Sequence, residues 1–573
     1  MDPLLNELMR AIAAQASQDQ LDDICSRIEA AGIAVYLTHL AITRKLRLNL
    51  GVQRNPVRIS ATQFIGESEL TITGHLKNGI VFEDYSGHAN IEVELTERDN
   101  GAVSFDSSGR YGIGQPSSIS IAIRPHAQLA FATIAALELK QANGFMLLQR
   151  LDVENLTIKG LSFNGNPQRA KGVASFRSCT ITFPFVNFAL YSLLNTCDFN
   201  TCQFESEYKI PANNALNLSL SRCRFAYGLE MRKESAAPTN LDLSYANVGE
   251  NSVVISGTRV SGNFSISGLT AAVIDLHGGH FDQINAINPD TTVLNLDGAR
   301  FLSFNLDEAT LDTLSLSGPA EVTPKTRTGA VIINDSSVQN LRLSSNVFSS
   351  LALTDCVVTK LEANDSTFAG ITNFEGTHFS AAPDFFETKF YEDTSFANTR
   401  FDDESKAALG PYRSLKNAMS KISNDIDESR FAGYEMACRH KSMPIKRENA
   451  IELFFLYVYR GINSYGRAPF RPLILIGVLF LIFSTSYCYF DAYKIADLPN
   501  DTWIKKISNS SPKMQALFIS GLNTLGPLKI FFEERYVIAL TPAWFFWSLI
   551  QSAISTVLWF FAVLGIRKRF KAT

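Results

Sequence analysis

Val273-Ile-Asp-Leu-His-Gly-Gly-His-Phe281 is nearly repeated at Val293-Leu-Asn-Leu-Asp-Gly-Ala-Arg-Phe301, and its first half returns at Thr313-Leu-Ser-Leu-Ser-Gly318. The step is 20 residues. Further along, Leu341-Arg-Leu-Ser-Ser-Asn-Val-Phe348, Leu351-Ala-Leu-Thr-Asp-Cys-Val-Val358 and Leu361-Glu-Ala-Asn-Asp-Ser-Thr-Phe368 recur every ten, and Phe390, Phe396 and Phe401 follow at five to six. Multiples of five suit a coil with four short sides, each turning one apolar residue inward to stack on the rung below. Cys179, Cys202 and Cys223 lie 23 and 21 residues apart, and Cys202-Gln-Phe204 matches Cys223-Arg-Phe225. With no Cys-x2-Cys pair to suggest a metal, these thiols read as stacked core.

These units resemble degenerate pentapeptide repeats over residues 151–401, and the resemblance implies a right-handed β-helix with a filled core. Upstream, residues 51–150 form a β-rich module in which Leu70 to Gly74, Ile80 to Phe82, Ile91 to Leu95 and Val103 to Phe105 are short strands between Gly, Asn and Asp turns. Residues 1–50 are an N-terminal helical segment. Apolar residues from Leu4 to Ile28 fall at helical spacing, the helix is expected to run from Pro3 to Lys45, and Ala31-Gly32 breaks it. It reads as a helical cap or an oligomer contact rather than a membrane-surface helix, because its polar face carries several acids.

No catalytic or cofactor motif stands out. Asp275, Asp297, Asp335, Asp355 and Asp365 occupy turn-like places, where Asp bonds the local backbone, and do not suggest the paired carboxylates of a hydrolase. His277-Gly-Gly-His280 lacks an apparent third ligand and reads as two loop residues. No P-loop, Gly-x-Ser-x-Gly or His-Glu-x-x-His is present. A net charge of -4 over 573 residues restricts any polyanion site to a local patch. The residues after Met1 lack the basic and apolar regions of a signal peptide, so the eight cysteines are expected to be reduced.

The end of the chain belongs to a membrane. Pro472 to Phe490 and Pro542 to Ile566 are apolar stretches of spanning length, flanked by Arg460, Arg467 and Arg471 before the first and by Arg567, Lys568, Arg569 and Lys571 after the second. The positive-inside rule puts both ends, and the large body, in the cytoplasm. Ser548, Gln551 and Ser555 share one helical face of the second span, consistent with helix packing or a pore lining. Between the spans, Met514 to Leu522 suits a short apolar helix and Asn523-Thr-Leu-Gly-Pro527 a turn, as a re-entrant segment would need. Asn523 and Thr524 therefore join the candidate pore lining. Residues 402–460 are expected to be helical, with Tyr412, Leu415, Met419, Ile422, Ile426, Phe431, Tyr434 and Met436 as the apolar face of a collar or a passive spacer. Ile451 to Tyr459 reads as an interfacial helix. Residues 461–573 complete a two-span domain.

Residues Phe374 to Phe401, the collar and the Leu-Gly-Ile-Arg-Lys-Arg-Phe tail ending at Phe570 look like bacterial membrane proteins that carry pentapeptide repeats above a two-span, channel-like domain. The arrangement is similar to the channel effectors of Hailong anti-phage defence. This resemblance implies a homo-oligomer, a tetramer, in the bacterial inner membrane, whose cytoplasmic β-helix senses single-stranded DNA oligomers made by a partner nucleotidyltransferase. The potassium-filter pattern Thr-x-Gly-Tyr-Gly is absent. A DNA ligand needs cations, and Arg222, Arg224, Arg232 and Lys233 form the densest basic run of the coil, beside Tyr227; Lys159, Arg169, Lys171 and Arg177 are a second group. The alternative is a membrane-anchored β-helix scaffold for a protein partner.

Overall fold

A computed structural model describes residues 2–60, 62–65, 68–83, 88–106, 117–127, 129–140, 146–164, 172–182, 194–206, 208–209, 217–231, 239–318, 327–444, 446, 449–466, 470–490, 493–495, 510–525, 537–539 and 542–570. The protein is mainly β, a parallel β-solenoid followed by helices. Contacts divide it into two units, Met1–His378 with Ala397–Arg400, and Phe379–Phe396 with Phe401–Thr573.

Among the described residues of the first unit, every strand pairing is parallel and joins one turn of the coil to the next. Val273 pairs with Val293, and Val293 with Thr313, so the repeat seen in the sequence is one full turn. Leu341 pairs with Leu361, whereas Leu351 lies on the other ladder and pairs with Thr372. The ten-residue recurrence is thus half a turn. Corners are bonded in the same way, Gly278 N–H donating to Asp297 O and Gly298 N–H to Ser317 O, both at 2.8 Å. Each of these glycines has a positive φ, 64° and 66°, where a side chain is strained.

Inward residues form columns at the rung spacing. Phe82 stacks on Phe105, Phe176 on Phe199 and Phe204 on Phe225, with centroids 4.6 to 4.8 Å apart. The cysteines occupy a recurrent inward slot whose side chain donates to a carbonyl of the turn before. Cys202 Sγ meets Phe176 O at 3.3 Å, Cys223 Sγ meets Phe199 O at 3.2 Å, and Ser366 Oγ meets Leu343 O at 2.6 Å in the same role. Burial pushes the Cys356 thiol up to about 11 and holds it inert.

The ladder does not begin at residue 151. Lys45–Gln53 pairs with Glu69–Leu76, that strand with His88–Leu95, and the series continues through Ser117–Pro125 and Met146–Glu154. Residues 51–150 are therefore earlier turns of the same coil, and no pairing boundary separates them from residues 151–401. The helical expectation for residues 1–50 holds only in part. Helix α1, Pro3–Ala13, and α2, Gln18–Ala31, are present, with Ser17 and Gln20 forming a capping box and Gly32 a left-handed stop. Beyond Gly32 the chain enters strands at Tyr36–Thr38 and Ala41–Ile42, because β-branched residues with alternating burial replace the helical period.

In the second unit, α3, Leu409–Lys421, and α4, Asp425–Ser442, pack on aromatic residues of the segment just before them. Phe431 meets Phe396 and Phe401 edge-on at 5.1 and 5.4 Å, and Arg430 lies over the Phe401 ring while donating to Phe396 O at 2.7 Å. Of the expected apolar face, Tyr412, Leu415, Met419, Phe431 and Tyr434 are buried, but Ile426 and Met436 are exposed. Helix α5 is Ala450–Asn463, α6 is Arg471–Tyr489, α7 is Pro512–Thr524 and α8 is Pro542–Phe570. Two stretches, Arg471–Tyr489 and Phe546–Leu564, are long and apolar enough to cross a membrane.

Candidate functional site

Helices α6, α7 and α8 pack around a polar interior. Tyr487 Oη donates to Gln551 Oε1 at 2.8 Å, and Asn523 Nδ2 donates to Tyr487 Oη at 3.4 Å. On its other side Gln551 Nε2 donates to Ser520 O at 3.2 Å, Ser520 Oγ at 3.1 Å and Thr524 Oγ1 at 3.0 Å. Ser520 Oγ donates to Phe480 O at 2.9 Å, and Trp559 Nε1 to Thr524 O at 2.9 Å, so all three helices share the network. Gln551 and Ser520 have no exposed surface. Outside them stand Leu481, Phe546, Leu549 and Ile554, all exposed. The network is neutral. Its amides and hydroxyls supply oriented dipoles rather than charge, which suits helix association in hydrocarbon and the solvation of a passing ion equally.

All five residues expected to line a pore are buried, at 0 to 8% exposure in the single chain. Asn523, Thr524 and Gln551 meet in the network, whereas Ser555 Oγ and Ser484 Oγ are buried without a hydrogen-bond partner among the described residues. Asn523 and Thr524 are not in a turn: they form the last residues of α7, which continues beyond Leu522 because no helix breaker intervenes before Gly526. Sequence reasoning missed Tyr487, Ser520 and Ser484. A polar side chain inside an apolar span was the available signal.

Of the proposed ligand residues, Arg222 and Arg224 are exposed on either side of the buried Cys223. Arg222 sits at a corner with φ 58°, and Arg224 continues a strand in register with Gln203. Arg232, Lys233, Arg169 and Lys171 lie outside the described residues; Lys159 and Arg177 are exposed. Tyr227 opens onto a hollow of about 730 Å³ shared with Glu205 and Glu230, an acidic neighbourhood for a stacking residue of a DNA site.

A column of basic residues escaped the sequence. Arg259 pairs in register with His280, and His280 with Arg300, three exposed bases on successive rungs. Burial, and then the charges of Arg300 and Arg259, hold the His280 pKa below its usual range. His277 instead turns Nδ1 to Asp275 at 2.9 Å, so the two histidines of His-Gly-Gly-His serve different local contacts. The aspartates act in turns: Asp297 Oδ1 accepts from Ser317 N and Ser315 Oγ, and Asp335, Asp355 and Asp365 have positive φ. Among the described residues, no cluster of three His, Cys, Asp or Glu side chains could hold a metal. Comparison with protein-family models, curated proteins and solved structures returns no match.

Proposed function

We propose that the protein is an oligomeric ion-channel effector of a bacterial inner membrane, with a cytoplasmic solenoid as its sensing body. The observation that carries this reading is α7. At 13 residues it rises only ~20 Å, too short for ~30 Å of hydrocarbon, yet its last turn bonds to both long helices through buried amides and hydroxyls, Asn523 to Tyr487 and Thr524 to Gln551. A half-length helix ending in polar contacts at membrane depth is what a re-entrant pore segment requires. In an assembly of four copies, a pore would require α6 to α8 to rearrange so that Asn523, Thr524 and the Ser555 hydroxyl, buried in the single chain, reach a shared water-filled axis. The α3 and α4 pair acts as the collar, carrying movement of the coil to α5 and the spans. The proposed ligand is a single-stranded DNA oligomer from a partner nucleotidyltransferase, held by Arg222 and Arg224; its binding should weaken with rising salt and vanish when both are changed to Glu.

The test is ion flux from proteoliposomes containing the full-length chain. Channel activity expects dissipation of an imposed ion gradient; tight vesicles with confirmed incorporation, with and without DNA oligomers, contradict it. One observation favours the scaffold alternative. Gln551 is fully bonded within a single chain and so has a structural role without any pore. A scaffold would leave vesicles tight in every variant.

A further inference from the structure

Helix α5 is built inside out. Ile451, Phe454 and Phe455, at i, i+3 and i+4, form one stripe, and they are 74, 63 and 64% exposed. The side turned inward is the mixed one. Leu456 clusters with Ala437 of α4 and with Tyr465, and Tyr459 stacks on Phe561 of α8 at 5.4 Å, while Tyr457, itself 66% exposed, meets the His440 ring edge-on at 4.8 Å. Glu452, the helix's acid, is drawn aside by Arg439 at 2.8 Å. The stripe is therefore uncharged, aromatic and fixed from behind.

We infer that this stripe is a bilayer-docking surface, seated at the boundary between phospholipid headgroups and acyl chains. The inference rests on the membrane-spanning reading of α6 and α8. Two connections fix its depth. The Tyr459–Phe561 stack ties α5 to the end of the second span, and α6 starts eight residues after Asn463, with Phe470 and Ile474 at its start also exposed. An exposed stripe of Ile and Phe, on a helix whose last turn carries the basic Arg460 and which Tyr459 ties to a candidate span, matches interfacial helices rather than a water-exposed helix. Because the same helix holds His440 and α4 on its inner side, lipid contact would set where the collar stands.

The test uses the full-length chain in phosphatidylcholine–phosphatidylglycerol vesicles. A bimane probe is placed at Phe455→Cys, Leu481→Cys or Arg300→Cys in a Cys488→Ser background, the other seven cysteines being buried. At position 455 we expect quenching by headgroup-proximal doxyl lipids and iodide quenching reduced about threefold relative to position 300. A probe at 455 open to iodide, while that at 481 is quenched by lipid, overturns the docking surface and spares the spans. Shielding of 455 from both quenchers assigns the stripe to another protein surface and also overturns it. Iodide access at 481 as well would sink the membrane-spanning reading itself.

Discussion

The solenoid and the three helices α6 to α8 bury opposite things. In the coil, Phe176, Phe199, Phe264 and Phe304 are fully inside while Arg259, His280 and Arg300 face out. In the helices, Ser520, Gln551 and Ser555 are fully inside while Leu481, Phe546 and Ile554 face out. One rule explains both. On the membrane-spanning reading, each surface matches its solvent, water for the coil and hydrocarbon for the helices, and in hydrocarbon polar groups are what hold helices together. Exposure alone does not separate a tolerant position from an intolerant one; the solvent it faces does.

The largest effect is expected where the coil's own logic is violated. Phe304→Ala empties a column position with no exposed surface and should cost about 3–5 kcal/mol, read as a lower denaturant midpoint of the β-sheet circular dichroism. Next comes a change that would be mild on a water-facing surface. Ile554 is 43% exposed at the middle of the second span, and Ile554→Asp should oppose membrane insertion by ~3 kcal/mol, read as the membrane-inserted fraction in a translocation assay. A soluble fate for α8 would make this substitution nearly silent. Third, Gln551→Leu removes the hub of the polar interior and with it the bonds that Tyr487, Ser520 and Thr524 make to its side-chain amide, at a cost of about 1–2 kcal/mol in detergent unfolding.

A smaller effect is set by pH. Burial, then Arg460, depresses the His440 pKa, so the folded state holds this imidazole neutral and the unfolded chain takes up the proton first. That stability is present above the unfolded value of about 6.5 and is lost as pH falls toward the lower folded value. The thermal midpoint of the helical unit should fall below about pH 6.5, and His440→Gln should flatten the dependence. The smallest effect closes the comparison: Leu302 is 70% exposed on the coil, and Leu302→Asp should change stability by no more than about 0.5 kcal/mol.

The contrast also explains what the sequence could reveal. Between Val273 and Thr313 the pairing step equals the sequence repeat, so the coil is legible by inspection. Earlier turns vary. Asn240 bonds Asn217 at a separation of 23, Thr73 bonds Glu94 at 21, and Ile91 is in register with Ile121 across a longer excursion. Unequal corners hide the period even though Leu46, Leu48 and Leu50 already alternate inward. The spans, the short helix between them and the polar face of α8 were legible from hydropathy. Their bonding was not, because Tyr487 and Ser520 reach Gln551 across 64 and 31 residues of chain. The exposed stripe of α5 was legible as aromatic, but only packing shows that its apolar side faces outward.

Single-channel recording from the full-length chain in a planar bilayer tests the central claim most directly. The expected result is discrete unitary currents in at least one ligand state, with an amplitude that changes on Asn523→Ala or Ser555→Ala. Silent bilayers with verified incorporation, both with DNA oligomers and after their removal, would contradict the channel and leave the polar interior as structural glue.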